Sequence, residues 1–88
     1  MKLIRISAIW CPSCIVTYNI WNEIKEKYPE YEYEEYDYDD DEEVIEKYNI
    51  GEIIPVIIIL KNNVEMTRII GEKSKKEIFE IVDKVCGK

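Results

Sequence analysis

The sequence predicts an α/β fold of order βαβαββα, with three helices packed on a four-stranded mixed sheet. Three observations carry this. Two apolar runs, Leu3 to Ala8 and Ile53 to Leu60, suit strands buried on both faces. Elsewhere apolar residues recur at helical spacing, first at Ile15, Tyr18, Trp21 and Ile24 and later at Ile78, Phe79, Ile81, Val82 and Val85. Asn62-Asn63, between the second apolar run and Val64 to Ile70, tolerates the left-handed backbone of a tight hairpin turn. With 88 residues the chain is read as one small domain, 1–88. Such a domain buries only about 60–65% of the surface its unfolded chain exposes, so its core must be dense.

Leu3 to Ala8 is the first strand, and Trp10 to Cys14 turns from it into a helix. Pro12 suits the first helical turn, where a missing N–H costs little. The helix ends near Tyr28-Pro29, because a residue before proline avoids the helical region. Tyr31 to Tyr38 alternates tyrosine with acids, a strand pattern whose phase slips at Glu34-Glu35 and so implies a bulge or a change of buried face. Asp39, Asp40 and Asp41 supply caps and favourable charge for a short helix with Val44, Ile45 and Tyr48 on its apolar side, ending near Asn49 to Gly51. Pro55 interrupts the start of the third strand. Gly71 ends the fourth, and Ser74 caps the last helix. The helical crossover makes the first two strands parallel and right-handed, and the last two form an antiparallel hairpin. Helices cover both faces of such a sheet.

Composition excludes several function classes. A formal net charge of −7 argues against nucleic acid and anionic membrane surfaces as partners. Much of it lies between Glu30 and Glu43, a run read as a solvated strand leading into a helix start. No segment approaches the roughly 20 apolar residues of a membrane span, and Met1-Lys2-Leu3-Ile4-Arg5 lacks the features of a secretory signal. A cytoplasmic location is therefore expected. There is no histidine, the commonest general base and transition-metal ligand, and three cysteines cannot close a four-thiolate site within one chain. No metal or cofactor is expected.

Cys11-Pro12-Ser13-Cys14, preceded by Trp10, is the feature that carries chemistry. Two cysteines two residues apart can form a disulfide across one turn, and at a helix start the backbone N–H groups and helix dipole stabilise a thiolate. Structural disulfides are rare in the cytosol, so the pair reads as a redox centre or a metal-binding motif. Cys86, beside Val82 and Val85, reads as a small buried hydrophobe or an inert surface thiol.

The chain resembles the thioredoxin superfamily in its shortest, glutaredoxin-sized form. The resemblance covers nearly the whole chain. It rests on Trp10-Cys11-Pro12-Ser13-Cys14 after the first strand, Ile20 to Ile24 in the first helix, Tyr48-Asn49-Ile50, Ile53-Ile54-Pro55 opening the third strand, and Lys61-Asn62-Asn63 followed by Gly71. It implies strand order 2-1-3-4 and a thiol–disulfide oxidoreductase acting on protein disulfides. Cys11 would be the exposed attacking sulfur and Cys14 the resolving one. Trp10 would shield the sulfurs, Pro12 would sit in the first helical turn, Ser13 would offer its hydroxyl to a nearby sulfur or simply be solvated, and Ile54 would present its backbone to substrate. The Ile54–Pro55 bond would be cis and lie against the sulfurs. The implied partners are protein disulfides and a flavoenzyme of the thioredoxin-reductase type, with the chain itself a monomer. Trp10 is thioredoxin-like. Pro12 is glutaredoxin-like, but Ser13 replaces the usual tyrosine and Gly71-Glu72 stands where glutaredoxins place two glycines. A glutathione-dependent glutaredoxin is the near alternative, and a dimer holding zinc or an iron–sulfur cluster between its C-x-x-C thiolates is the distant one.

Two positions depart from the family pattern. Arg5 stands where many thioredoxins carry a buried Asp, and Asn19 where many carry a helix-kinking proline. Cys14 is then expected to use water or another carboxylate as its proton acceptor. Arg5 itself must either pair with an acid or reach solvent from a strand end.

Overall fold

The computed structural model describes residues 1–87, so Lys88, the last residue of the expected domain, lies outside the described residues. The elements are β1 (Lys2–Ser7), α1 (Pro12–Lys27), β2 (Glu32–Asp37), α2 (Glu42–Lys47), β3 (Val56–Lys61), β4 (Val64–Ile70) and α3 (Lys75–Cys86). The sheet order is β2-β1-β3-β4, as the resemblance implies. β1 and β2 are parallel, whereas β3 runs antiparallel to both β1 and β4.

The sheet separates two cores. On one face Leu3, Ile57, Ile59 and Ile69 meet Ile20, Trp21 and Ile24 of α1 and Ile78 and Val82 of α3. On the other, Ile4, Ile6, Val56 and Ile58 meet Ile50 and Ile54, and Val44, Ile45 and Tyr48 of the α2 region pack onto them. β1 and β3 are apolar on both faces because both faces are covered. Trp21 is fully buried and meets Tyr33 edge to face at 5.5 Å between ring centres.

Several local expectations change. β3 begins at Val56 rather than Ile53: proline has no N–H for a ladder, so pairing starts after Pro55. The phase slip in β2 is a change of buried face and not a bulge. β2 pairs without interruption from Lys2↔Glu32 to Ser7↔Asp37, Tyr33 faces the α1–α3 core, and Tyr36 and Tyr38 face the other. The irregularity lies instead in the β3–β4 hairpin, where Ile59 pairs Thr67 and Leu60 pairs Glu65, leaving Met66 without a partner. In α1 the buried residues are Cys14, Thr17, Ile20, Trp21 and Ile24, while Ile15 and Tyr18 are exposed. The helix lays its first turn on the sheet through Cys14 and Thr17, which turns the larger apolar side chains outward.

The hairpin turn and the last cap are as expected. Asn62 and Asn63 have φ of 53° and 65°, the left-handed pair of a tight hairpin. Ser74 Oγ accepts from the Glu77 N–H at 3.2 Å and caps α3. Asp41 is the N-cap residue of α2, but its carboxylate does not cap the helix; it accepts from the Asp37 N–H at 2.7 Å and ties the loop after β2.

Candidate active site

The site is built where β1 runs into α1. Cys11 is the N-cap residue of α1, with extended backbone (φ −95°, ψ 109°). Proline at the next position disfavours helical backbone at Cys11 and opens the helix without losing a hydrogen bond. Cys11 Sγ accepts from the Cys14 N–H at 3.2 Å, so charge developing on that sulfur faces an N–H donor at the positive end of the helix. The Cys11 thiol also donates to the Ile54 carbonyl at 3.9 Å. Both cysteines are free thiols.

Cys11 was expected at an exposed helix end, and the structure corrects this. Cys11 is 4% exposed and Cys14 2%. The loop before β3 closes over the helix start, and both sulfurs belong to the core that contains Ile54 and Val56. Burial pushes the Cys14 thiol up from 9.0 to about 11; its interaction with the Cys11 sulfur also raises it, and a hydrogen bond with the Ala8 backbone and, less, the charge of Arg5 oppose the rise. Cys86 is a separate buried thiol on α3, also raised chiefly by burial.

The supporting residues divide between the sulfurs and the surrounding surface. The Ile54–Pro55 bond is cis, and both residues are buried beside the sulfurs. The Pro55 carbonyl accepts from the Gly71 N–H at 2.8 Å, where Gly71 has φ +83°, so the end of β4 holds the proline loop in place. Trp10 is 57% exposed: its Nε1–H donates to Asp39 at 2.6 Å and its ring meets Tyr38 edge-on. Trp10 is therefore fastened to the loop after β2. Pro12 is exposed, and Ser13 contributes its carbonyl, which accepts from Thr17 Oγ1 at 2.9 Å. Ile9, Ile15 and Ile53 are 90%, 66% and 62% exposed, giving an apolar surface from segments adjoining the cysteines and Pro55.

Arg5 resolves one alternative. It is 4% exposed and pairs with Glu35 on the neighbouring strand at 3.5 Å, as the register Arg5↔Glu35 allows. Its Nη1 also donates to Ser7 Oγ at 3.0 Å, and its Nη2 donates to the Cys14 carbonyl at 2.5 Å. Tyr18 covers the guanidinium at 5.5 Å. A cleft of about 230 Å³ lies here, lined by Arg5, Ser7, Cys14, Tyr18 and Asp37 among others. Asp39 as the partner of Trp10 and Asp37 as a wall of the Cys14 cleft were missed in the sequence. Both depend on residues 29 and 23 positions away, and no local pattern signals them.

A family model described as Thioredoxin matches residues 1–84. A Fagopyrum esculentum protein named Thioredoxin H-type is 32% identical over 79 residues, covering 90% of this chain and 67% of its own length. Thioredoxin H5 of Oryza sativa subsp. japonica is 29% identical over 80 residues, and the chain spans 58% of its length. Among solved structures, thioredoxin from Trypanosoma brucei brucei superposes with a TM-score of 0.86 at 17% identity, covering 99% of this chain and 75% of that one. NaTrxh from Nicotiana alata gives 0.84 at 24% identity, covering 94% and 70%.

Proposed function

This chain belongs to the thioredoxin family as a thiol–disulfide oxidoreductase, and from that premise we propose that Cys11 attacks and Cys14 resolves disulfides of protein substrates. One observation carries the assignment of roles: Cys11 Sγ sits at the N-cap of α1 and receives the Cys14 N–H at 3.2 Å. The Cys11 sulfur faces that donor and the positive helix end, whereas burial raises the Cys14 thiol.

In the first half-reaction the Cys11 thiolate attacks one substrate sulfur. The substrate S–S bond breaks, its electron pair leaves on the other sulfur, and a Cys11–substrate mixed disulfide forms. Cys14, deprotonated, then attacks Cys11 Sγ. The mixed disulfide breaks, the substrate leaves as a thiolate that takes a proton from water, and Cys11–Cys14 is oxidised. Because Cys11 is nearly buried, the substrate must approach across the rim that includes Ile9, Trp10 and Ile53. The Ile54 backbone precedes β3 beside the sulfurs and is suited to pair with an extended substrate segment.

A flavoenzyme of the thioredoxin-reductase type is the proposed reductant, and a monomer in the cytoplasm the proposed setting. Support against glutathione is the single glycine of Gly71-Glu72 and a net charge of −7, which disfavours an anionic tripeptide. The test is insulin-disulfide reduction with each reductant at matched ionic strength. Cys11→Ser abolishes turnover, and Cys14→Ser accumulates a mixed disulfide on Cys11 found by mass spectrometry. Trapping on Cys14 instead would reverse the roles, and turnover with glutathione alone would reassign the reductant.

A further inference from the structure

We propose that Arg5 is the positioning residue that makes Cys14 able to resolve the mixed disulfide: its buried guanidinium holds the Cys14 carbonyl and supplies the positive charge that favours the Cys14 thiolate. This rests on the proposed roles of the two sulfurs and adds a determinant of the second step.

The geometry singles Arg5 out. Its Nη2 reaches the Cys14 carbonyl at 2.5 Å, and Thr17 Oγ1 reaches the same oxygen at 3.2 Å. The first turn of α1 is thus fastened to β1 through the residue whose sulfur must move. The guanidinium is not spent on its acid: Glu35 stands 3.5 Å away and is 43% exposed, so water screens it, whereas the Arg5 side chain is 5% exposed. Its Nε–H is buried without a partner among the described residues. A buried cation whose one acid is half-exposed costs stability, and the resting dithiol offers it no buried anion at Cys14.

The reaction supplies that anion. Cys14 has Cys11 beside it at the helix start and shares a cleft with Arg5 of β1 and Asp37 of β2, while Glu35 of β2 and Tyr18 meet the guanidinium. In the dithiol, burial and the Cys11 sulfur both oppose Cys14 ionisation. Once Cys11 is bonded to substrate sulfur it carries no charge and no thiol proton, so that opposition ends. Burial still opposes, and the Ala8 backbone and Arg5 counter it. The Cys14 proton passes to water in the cleft that Arg5, Ser7 and Asp37 share with Cys14. The thiolate then attacks Cys11 Sγ, and substrate thiolate departs. An opposite charge beside an acidic group lowers its pKa by about 1–3 units, and the smallest of these shifts is tenfold in thiolate at a given pH; Arg5 acts here beside the larger help of the Ala8 backbone.

Ellman's reagent separates the two steps. Attack by Cys11 releases one thionitrobenzoate in a second-order phase, and resolution by Cys14 releases the second in a first-order phase. The rates are measured from pH 5 to 10 by stopped flow. Arg5→Met shifts the pH profile of the second phase upward and slows it on the order of tenfold at pH 7, with the first phase changed far less. Arg5→Lys restores most of the second-phase rate. Glu35→Gln, on the exposed edge strand, shifts the same profile downward and keeps the question answerable if Arg5→Met does not fold. Second-phase profiles that stay in place in Arg5→Met, or in Glu35→Gln where Arg5→Met is unfolded, overturn the proposal. So does an equal loss in both phases, which is what a merely structural role would give. Wild-type protein that releases no second equivalent would instead overturn the assignment of the two sulfurs.

Discussion

Reduced Cys14 should alkylate about tenfold more slowly than a free cysteine by ionisation alone, and the figure follows from its surroundings. Burial first, and the neighbouring Cys11 sulfur second, push the Cys14 thiol from 9.0 to about 11. Two units leave about a hundredfold less thiolate at any pH below 9, and the thiolate is the nucleophile. A more basic thiolate is also more nucleophilic, with a Brønsted slope of about 0.4–0.5, which returns roughly six- to tenfold. The net retardation is about tenfold, before the 2% exposure of Cys14 restricts access further. Pulsed labelling of the reduced protein with iodoacetamide, followed by peptide mass spectrometry, measures this against free cysteine. The Cys14 rate should rise about tenfold per pH unit up to pH 10 while circular dichroism reports a folded chain. A plateau below pH 9, or a rate equal to that of free cysteine, would refute the reasoning.

Three further outcomes concern stability. Trp21→Ala, removing a fully buried side chain packed on Tyr33, should cost about 3–5 kcal/mol in urea unfolding; a loss below about 1 kcal/mol would mean the site collapses around the missing ring. Ser74→Ala removes the acceptor for the Glu77 N–H and should cost about 1 kcal/mol, with Ser74→Asn restoring most of it. Hydrogen bonds from Lys27 and Tyr28 lower the Asp83 carboxyl, so its contribution is present above the unfolded carboxylate range and is lost as pH falls through the lowered folded value. Asp83 is 39% exposed and screened, so Asp83→Asn should cost under about 1 kcal/mol at pH 7. The difference between the two proteins should shrink as pH falls below the ordinary carboxylate range in paired urea titrations.

The elements were legible in the sequence because their signals are local. Ile-rich β1 and β3 need no partner to be recognised, and the asparagine pair and Ser74 announce a turn and a cap by their own chemistry. What was not legible depends on residues far apart. Cys11 is buried because the Ile54 loop lies over it, a contact across 43 residues. Arg5 meets Glu35, 30 residues away, through a register that neither strand discloses alone. The outward turn of Ile15 and Tyr18 follows from how α1 rests on the sheet, and helical periodicity cannot choose between two apolar stripes when Cys14 and Thr17 serve as buried residues.

The irregular hairpin has a consequence for how this protein behaves when crowded. An open four-stranded sheet has two free borders, each a template onto which another extended chain could add. The border formed by β2 carries Glu32, Glu34, Glu35 and Asp37 in six residues, so an identical strand laid against it would meet like charges. β4 exposes Val64 and Met66 and lacks that protection. There the unpaired Met66 interrupts the regular spacing of amides and carbonyls, and the added local twist turns the border away from a flat partner. The chain thus guards one margin by charge and the other by shape.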